Sequence, residues 1–388
     1  MELHRTKSNY RVLIFVIIFF ATLNGFLWGE LPIISLLGFI LGFLLSITFV
    51  FVTQGQTKIA RRYIWYVIVV ISALSFILLG SLLYEIQIDP KRLLGLGVIF
   101  ITLIISPLLL QYVDSGIIKT IIWIHVLFFY LQFLLYYVFG IYFDYLFIAE
   151  SYSRNLGGSF ILPIFNQPLM RPSGLYAEPG NYANYMFLLY ILNCLVGKRN
   201  GDKINGILFY LLTLSLVLTF SAFGLVFLFV ILLSRVNSLK SFILISLPLI
   251  LYSIVATPYF IERFMTEGFI SDTSGLSFRL IYVTEAMSNF DSVEGWIVGK
   301  GTLSAPSFFG PNVGSDNDSG LIFFVLREMG VVVSLLFLVA NLFALFRHRL
   351  ILLSMTCLFI KLTPFMFFVP LFFSCLLFIK PKYYIMRS

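Results

Sequence analysis

Charge is what this sequence has least of. Only 11% of its 388 residues are Asp, Glu, Lys or Arg, where a soluble globular chain carries about 25%. So few charges cannot cover a water-facing surface, which excludes a soluble enzyme, a nucleic-acid-binding module and a disordered hub. Cysteine is nearly as scarce: Cys194, Cys357 and Cys375 all lie in apolar runs, with no CxxC spacing. That removes a disulfide scaffold and leaves no thiolate cluster for a metal or a redox couple. The three histidines, His4, His125 and His348, are scattered through the chain, so no Ser-His-Asp triad can be assembled in one place. His125 sits in an apolar run and reads as a core residue bonding a neighbouring helix.

What the chain has in abundance is apolar surface: 60% hydrophobic residues and 18% aromatic, with 44 Phe. Length alone would suggest two or three domains at about 150 residues each. The composition overrides that and reads as a single integral membrane domain over 1–388. A spanning helix needs about 20 apolar residues. Runs near 11–29, 31–52, 63–84, 93–111, 117–139, 182–196, 204–220, 222–234, 241–257, 319–346, 350–361 and 364–379 predict about 12 transmembrane helices. The expected fold is an all-α polytopic membrane protein.

The formal charge of +8 is a statement about sidedness. Lys and Arg collect in cytoplasmic loops. With the N-terminus inside, those loops hold Arg5, Lys7, Arg11, Lys58, Arg61, Arg62, Lys119, Lys198, Arg199, Lys203, Arg235, Lys240, Arg347, Arg349, Lys380, Lys382 and Arg387. The Lys91-Arg92 pair is the short-loop exception. Glu30-Leu31-Pro32 offers no small-residue cleavage site, so the first helix is expected to be retained, with both termini cytoplasmic.

Two segments, about 140–181 and about 258–318, are too polar to span and fall on the outer face in this topology. The first holds Asp144, Glu150 and Glu178; the second holds Glu262, Glu267, Asp272, Glu285, Asp291, Glu294, Asp316 and Asp318. Their only basic residues are Arg154, Arg171, Arg263, Arg279 and Lys300. Long loops on a rigid scaffold carry function. Residues 284–296 mix apolar and acidic side chains in a helix-like pattern, as in a short helix lying at the membrane interface. Arg327 and Glu328 interrupt the run from Leu321. They belong either at the outer surface or on a tenth helix that begins above the bilayer, and the second is preferred, since charge at mid-bilayer is costly.

Three motifs stand out in these loops. Met170-Arg171-Pro172-Ser173-Gly174-Leu175-Tyr176-Ala177-Glu178-Pro179-Gly180-Asn181 runs straight into a predicted helix, and its prolines restrict the backbone around Arg171 and Glu178. Arg279 is followed by Gly295 and by Gly299-Lys300-Gly301, which lacks the glycine spacing of a dinucleotide fingerprint. Asp316-Asn317-Asp318 opens like a calcium loop but lacks the downstream bidentate Glu. Asp318 or Ser319 is expected to cap the following helix. Arginine stays charged and forks onto phosphate oxygens, so an arginine on an ordered outer loop suits a lipid-linked diphosphate. A nearby carboxylate suits removal of a proton from an attacking hydroxyl.

The Arg171-x-x-Gly174-x-x-x-Glu178-Pro179 stretch resembles the signature of the bacterial O-antigen polymerase (Wzy) family. Thr219-Phe220-Ser221 at an outer bend, Arg279 with Gly295 and Gly299-x-Gly301, and the Asp/Asn-rich turn before a helix carrying Glu328-x-Gly330 follow in the same order. The resemblance covers roughly 160–330. It implies a metal-independent, cofactor-free membrane glycosyltransferase with a GT-C-like fold in the bacterial cytoplasmic membrane. Its substrates would be undecaprenyl-diphosphate-linked oligosaccharides, with a chain-length regulator protein as partner and no nucleic acid. Arg171 and Arg279 would hold diphosphate, Glu178 would position or deprotonate the acceptor hydroxyl, and Asp316 and Asp318 are further candidates for that task. Tyr176, Tyr182 and Trp296 would stack on sugars or anchor at the interface. The related O-antigen ligase presents a histidine where this chain reads Asp316-Asn317-Asp318. A lipid-linked oligosaccharide flippase is the remaining alternative, and it would carry charges within the bundle on broken helices in two related halves.

Overall fold

The structure, a computed structural model, describes residues 2–23, 40, 61–84, 88, 90–109, 113–146, 156–162, 167–200, 206–234, 283–284, 286–299, 320–348, 351–360, 362 and 368–378. Helices α1 (Glu2–Thr22), α2 (Arg61–Leu83), α3 (Pro90–Leu109) and α4 (Ser115–Tyr137) come first. A hairpin of β1 (Leu156–Leu162) and β2 (Gln167–Met170) follows, and then α5 (Pro179–Asn200), α6 (Ile207–Leu218) and α7 (Ala222–Leu233). A 3-10 turn at Ser288–Asp291 leads to α8 (Val293–Ile297), and the chain closes with α9 (Leu321–His348), α10 (Ile351–Cys357) and α11 (Phe368–Phe378).

The protein is mostly helical. Among the described residues three helices are long and apolar enough to cross a membrane: Tyr63–Leu83, Ser115–Tyr137 and Leu321–Leu342. Leu93–Pro107, Ile207–Leu218, Ala222–Leu233 and Phe368–Phe378 are shorter apolar helices. Of the expected helix 31–52 only residue 40 is described, and 241–257 lies outside the described residues. The first helix starts at Glu2 rather than residue 11, because Glu, Leu, Arg and Lys are good helix formers and extend it into the polar flank.

The all-α expectation needs one correction, since the first long loop contains an antiparallel hairpin. Ile161 pairs with Pro168 and Leu162 with Gln167, with an irregularity before Leu156 meets Met170. The run Ser159-Phe160-Ile161-Leu162 lies between Gly157-Gly158 and Pro163. It is too short for a helix and rich in strand formers.

α5 is the centre of the bundle. Every residue from Tyr182 to Asn193 is buried, and the helix packs on α4, α7, α10 and α11. Phe187 stacks on Phe227 of α7 with centroids 4.4 Å apart. α2 is peripheral by contrast, with Trp65 and Leu79 each 59% exposed. An apolar helix with exposed side chains is one that a membrane would suit, and α2 is such a candidate span, whereas α5 is buried in the bundle.

Inside such a bundle every polar backbone group needs an internal partner. Pro107 of α3 cannot bond the Leu103 carbonyl, and the Tyr66 hydroxyl of α2 donates to that carbonyl at 3.2 Å. Ser374 of α11 reaches the same oxygen at 3.5 Å, and the Tyr63 hydroxyl donates to Ile104 O at 2.8 Å. α9 is broken at Gly330, where φ is 78° and ψ is 176°. The Leu321 and Ile322 amides at its start donate to Ile360 O and Leu358 O, each at 2.9 Å. The turn that follows α10 thereby satisfies the first donors of α9. Replacing Tyr66→Phe leaves its ring in place but takes away the donor to Leu103 O. It should cost about 1–2 kcal/mol, read as a lower Tm in detergent, whereas an unchanged Tm would show that the Pro107 gap is filled otherwise.

Candidate active site

The segment that carries Arg171 and Glu178 is built into the bundle by α4. Gln132, 0% exposed, accepts from Ser173 N and Gly174 N with the same Oε1, each at 2.9 Å. Its Nε2 donates to Phe143 O at 3.1 Å. One turn on, the Tyr137 hydroxyl donates to Met170 O at 2.7 Å and accepts from Met170 N at 3.0 Å. Tyr136 donates to Pro168 O at 2.8 Å. Three consecutive parts of the loop are therefore hydrogen-bonded to one helix end.

Gly174 explains how close the loop comes. Its φ is +57°, and a Cβ there would lie 3.3 Å from Phe129 N of α4. Ser173 Oγ donates to Tyr176 O at 2.5 Å, closing a turn that drives Tyr176 inward. Its ring stacks on Tyr185 with centroids 4.9 Å apart and meets Tyr182 edge-on at 5.9 Å. Burial pushes the Tyr176 phenol well above its usual range. Its hydroxyl lies 3.3 Å from His125 Nε2, and that nitrogen lies 2.8 Å from Thr22 Oγ1 of α1. Thr22 Oγ1 also reaches Phe19 O at 2.6 Å, within its own helix. His125 thus links α1, α4 and the loop, as its apolar setting implies.

Between these anchors the ends of the motif stay partly open. Pro172 through Tyr176 are buried, whereas Arg171, Ala177 and Glu178 are only half-buried. The Glu178 carbonyl accepts the Tyr182 amide at 3.1 Å, with Pro179 as the first helical residue of α5, where a missing N–H costs nothing. The Thr219-Phe220-Ser221 bend comes to the same spot: Ser221 Oγ is 3.7 Å from where a Gly180 Cβ would stand. Phe220 has φ +46°, an unusual value for a side-chain-bearing residue.

The second part of the motif set assembles around the α9 break. A Cβ on Gly330 would lie 2.9 Å from the Ile297 and Trp296 backbone, and one on Gly299 would lie 2.5 Å from Arg327 O. Asn289 Nδ2 donates to Leu326 O at 2.5 Å and Arg327 O at 3.2 Å. Arg327 and Glu328 do not stand at a water-facing surface. They are 7% and 2% exposed, and Arg327 donates through Nε and Nη2 to Glu328 Oε1 at 2.8 and 2.6 Å. Mutual neutralisation makes burial tolerable.

Of the predicted site residues, Arg171 and Glu178 stand on one buttressed loop. Arg279, Asp316 and Asp318, and the capping choice between Asp318 and Ser319, lie outside the described residues. Tyr176 and Tyr182 are not available to a sugar, being 1% and 0% exposed. Their rings pack on Tyr185 and Phe129 instead, because the loop folds inward at Gly174. Trp296 remains 41% exposed. No group of three or more His, Cys, Asp or Glu placed to hold a metal occurs among the described residues. Gln132, Tyr136 and Tyr137 were not anticipated from sequence, where polar residues near the end of an apolar run read as interfacial anchors. The chain matches no protein-family model, no curated protein and no solved structure.

Gln132→Leu would strand two buried amides at about 1–3 kcal/mol each, so limited proteolysis should cut within 171–178. Gln132→Glu keeps an acceptor oxygen and should leave that segment far more resistant. Equal cutting of both variants would mean that the Gln132 bonds do not hold the loop.

Proposed function

We propose that this chain is a polysaccharide repeat-unit polymerase of the bacterial cytoplasmic membrane, acting at its outer face on lipid-diphosphate-linked glycans. The observation that carries the reading is the loop 171–178, whose backbone is fastened to α4 while Arg171 and Glu178 stay half-buried at its two ends. A guanidinium held this way suits a diphosphate leaving group, and a carboxylate on the same stiff segment suits an acceptor hydroxyl. In the proposed step the acceptor oxygen attacks the anomeric carbon of the growing glycan. The carbon–oxygen bond to diphosphate breaks and its electron pair leaves with the lipid diphosphate. Glu178 takes the hydroxyl proton and Arg171 stabilises the departing charge. Arg279, Asp316 and Asp318 are proposed to complete the site from the second loop. A chain-length regulator would be the protein partner, and O-antigen or capsule the product class.

A second reading has one specific observation behind it. The Arg327–Glu328 pair lies within a candidate span beside the helix break at Gly330, and broken helices with intramembrane charge are features of transporters. In that reading the chain would move lipid-linked oligosaccharide across the membrane.

Surface glycan from a deletion strain separates the readings. A polymerase loss leaves a single repeat unit on the acceptor, restored to a ladder by the wild type. Unattached long polymer would indicate a ligase, and loss of even one exported unit would indicate a flippase. Arg171→Ala should lower chain extension by about 100-fold or more at normal membrane abundance. A normal ladder from Arg171→Ala would overturn the assignment of the leaving-group site.

A further inference from the structure

The segment Ala286–Val298 has two unlike sides. Ala286, Asn289, Gly295 and Val298 are buried, packed on α9 and on α2. Met287, Phe290, Val293 and Trp296 recur at every third position and are 53%, 43%, 71% and 41% exposed. Ser288, Asp291, Ser292 and Glu294 are exposed between them. Large apolar side chains left in a row call for an apolar partner.

Height identifies that partner. Ile297 and Val298 lie 3.2 Å from where a Gly80 Cβ would stand, one turn short of the end of α2. Beyond that contact α2 continues apolar through Leu82 and Leu83, which are 63% and 77% exposed. The 21 residues of the span Tyr63–Leu83 measure about 31 Å at 1.5 Å per residue, which matches a hydrocarbon core of about 30 Å. If this candidate span fills the hydrocarbon core, Gly80 lies about 4–5 Å from its outer end along the helix, the depth at which interfacial helices lie. Leu79, Leu82 and Leu83 are exposed at the same end of α2 as that contact. Trp296 needs no water either, because its Nε1 donates to Phe290 O at 3.3 Å. Asp291 and Glu294, both exposed, supply the polar partners of a segment at the headgroup boundary.

We propose that residues 286–298 form a wedge seated in the bilayer, with Met287, Phe290, Val293 and Trp296 among lipid acyl chains at the end of α2 remote from Arg61. The partner is the lipid itself. The wedge's inner side meets the backbone of Arg327 and Gly330, so bilayer contact fixes the height of the segment that braces the α9 break. The proposal stands independently of any catalytic reading.

The test uses the full chain in lipid nanodiscs with Trp28, Trp65 and Trp123 changed to Phe, leaving Trp296 as the reporter. Phospholipids brominated near the headgroup end of the acyl chain should quench its emission more than those brominated deeper, and aqueous acrylamide should quench it little. Strong acrylamide quenching without bromolipid quenching would put the row in water and overturn the proposal. Insensitivity to both would mean protein covers it, which overturns the proposal equally. Should that variant fail to fold, Val293→Cys carrying a nitroxide gives the same answer: relaxation by oxygen above that by a water-soluble nickel complex supports lipid contact, and the reverse order contradicts it.

Discussion

A polar backbone taken into an apolar bundle must bring its hydrogen-bond partners with it, and Gln132 is where this protein meets that demand. One side-chain oxygen takes two amides of the loop, and the amide nitrogen of the same side chain holds the strand of chain that follows α4. Without it, Ser173 and Gly174 could not approach α4, Tyr176 could not reach His125, and Arg171 and Glu178 would have no common frame. The same demand recurs wherever a helix is irregular. Tyr66 serves the carbonyl that Pro107 leaves open, the turn after α10 serves the start of α9, and Asn289 serves the carbonyls before Gly330.

These side-chain ties divide the molecule into a buried framework and a partly open rim. α5 with α4 and α7 forms a tightly stacked aromatic and aliphatic centre. Arg171 and Glu178 sit where the framework stops, at the start of α5 and beside the Thr219-Phe220-Ser221 bend. Stiffness there has a chemical consequence. In the proposed reaction, a cation that binds diphosphate would contribute most when it need not reorganise as charge develops, and a loop fixed at three points by one helix would supply that condition.

Much of this was legible in the residues, and the reason is the strength of the signals. Long apolar runs give helices at 63–84, 117–139 and 182–196, close to α2, α4 and α5, and the prolines and glycines of 172–180 mark a constrained turn before a helix. What escaped reading depends on pairings distant in sequence. Tyr137 and Met170 are 33 residues apart, and Gln132 and Gly174 are 42 apart. The hairpin at 156–170 escaped because four strand-forming residues make no period. Tyr176 and Tyr182 show the opposite error: an aromatic next to a loop motif looks available for ligand, yet the turn at Gly174 sends both into the core.

Amide hydrogen exchange of the chain in lipid nanodiscs tests the fastening of the loop most directly. The Met170, Ser173, Gly174 and Tyr176 amides each have an acceptor within the protein, so they should exchange as slowly as those in the middle of α4 and α5. Exchange of these four at the rate of an open loop would contradict the picture of a site held rigid by Gln132 and Tyr137.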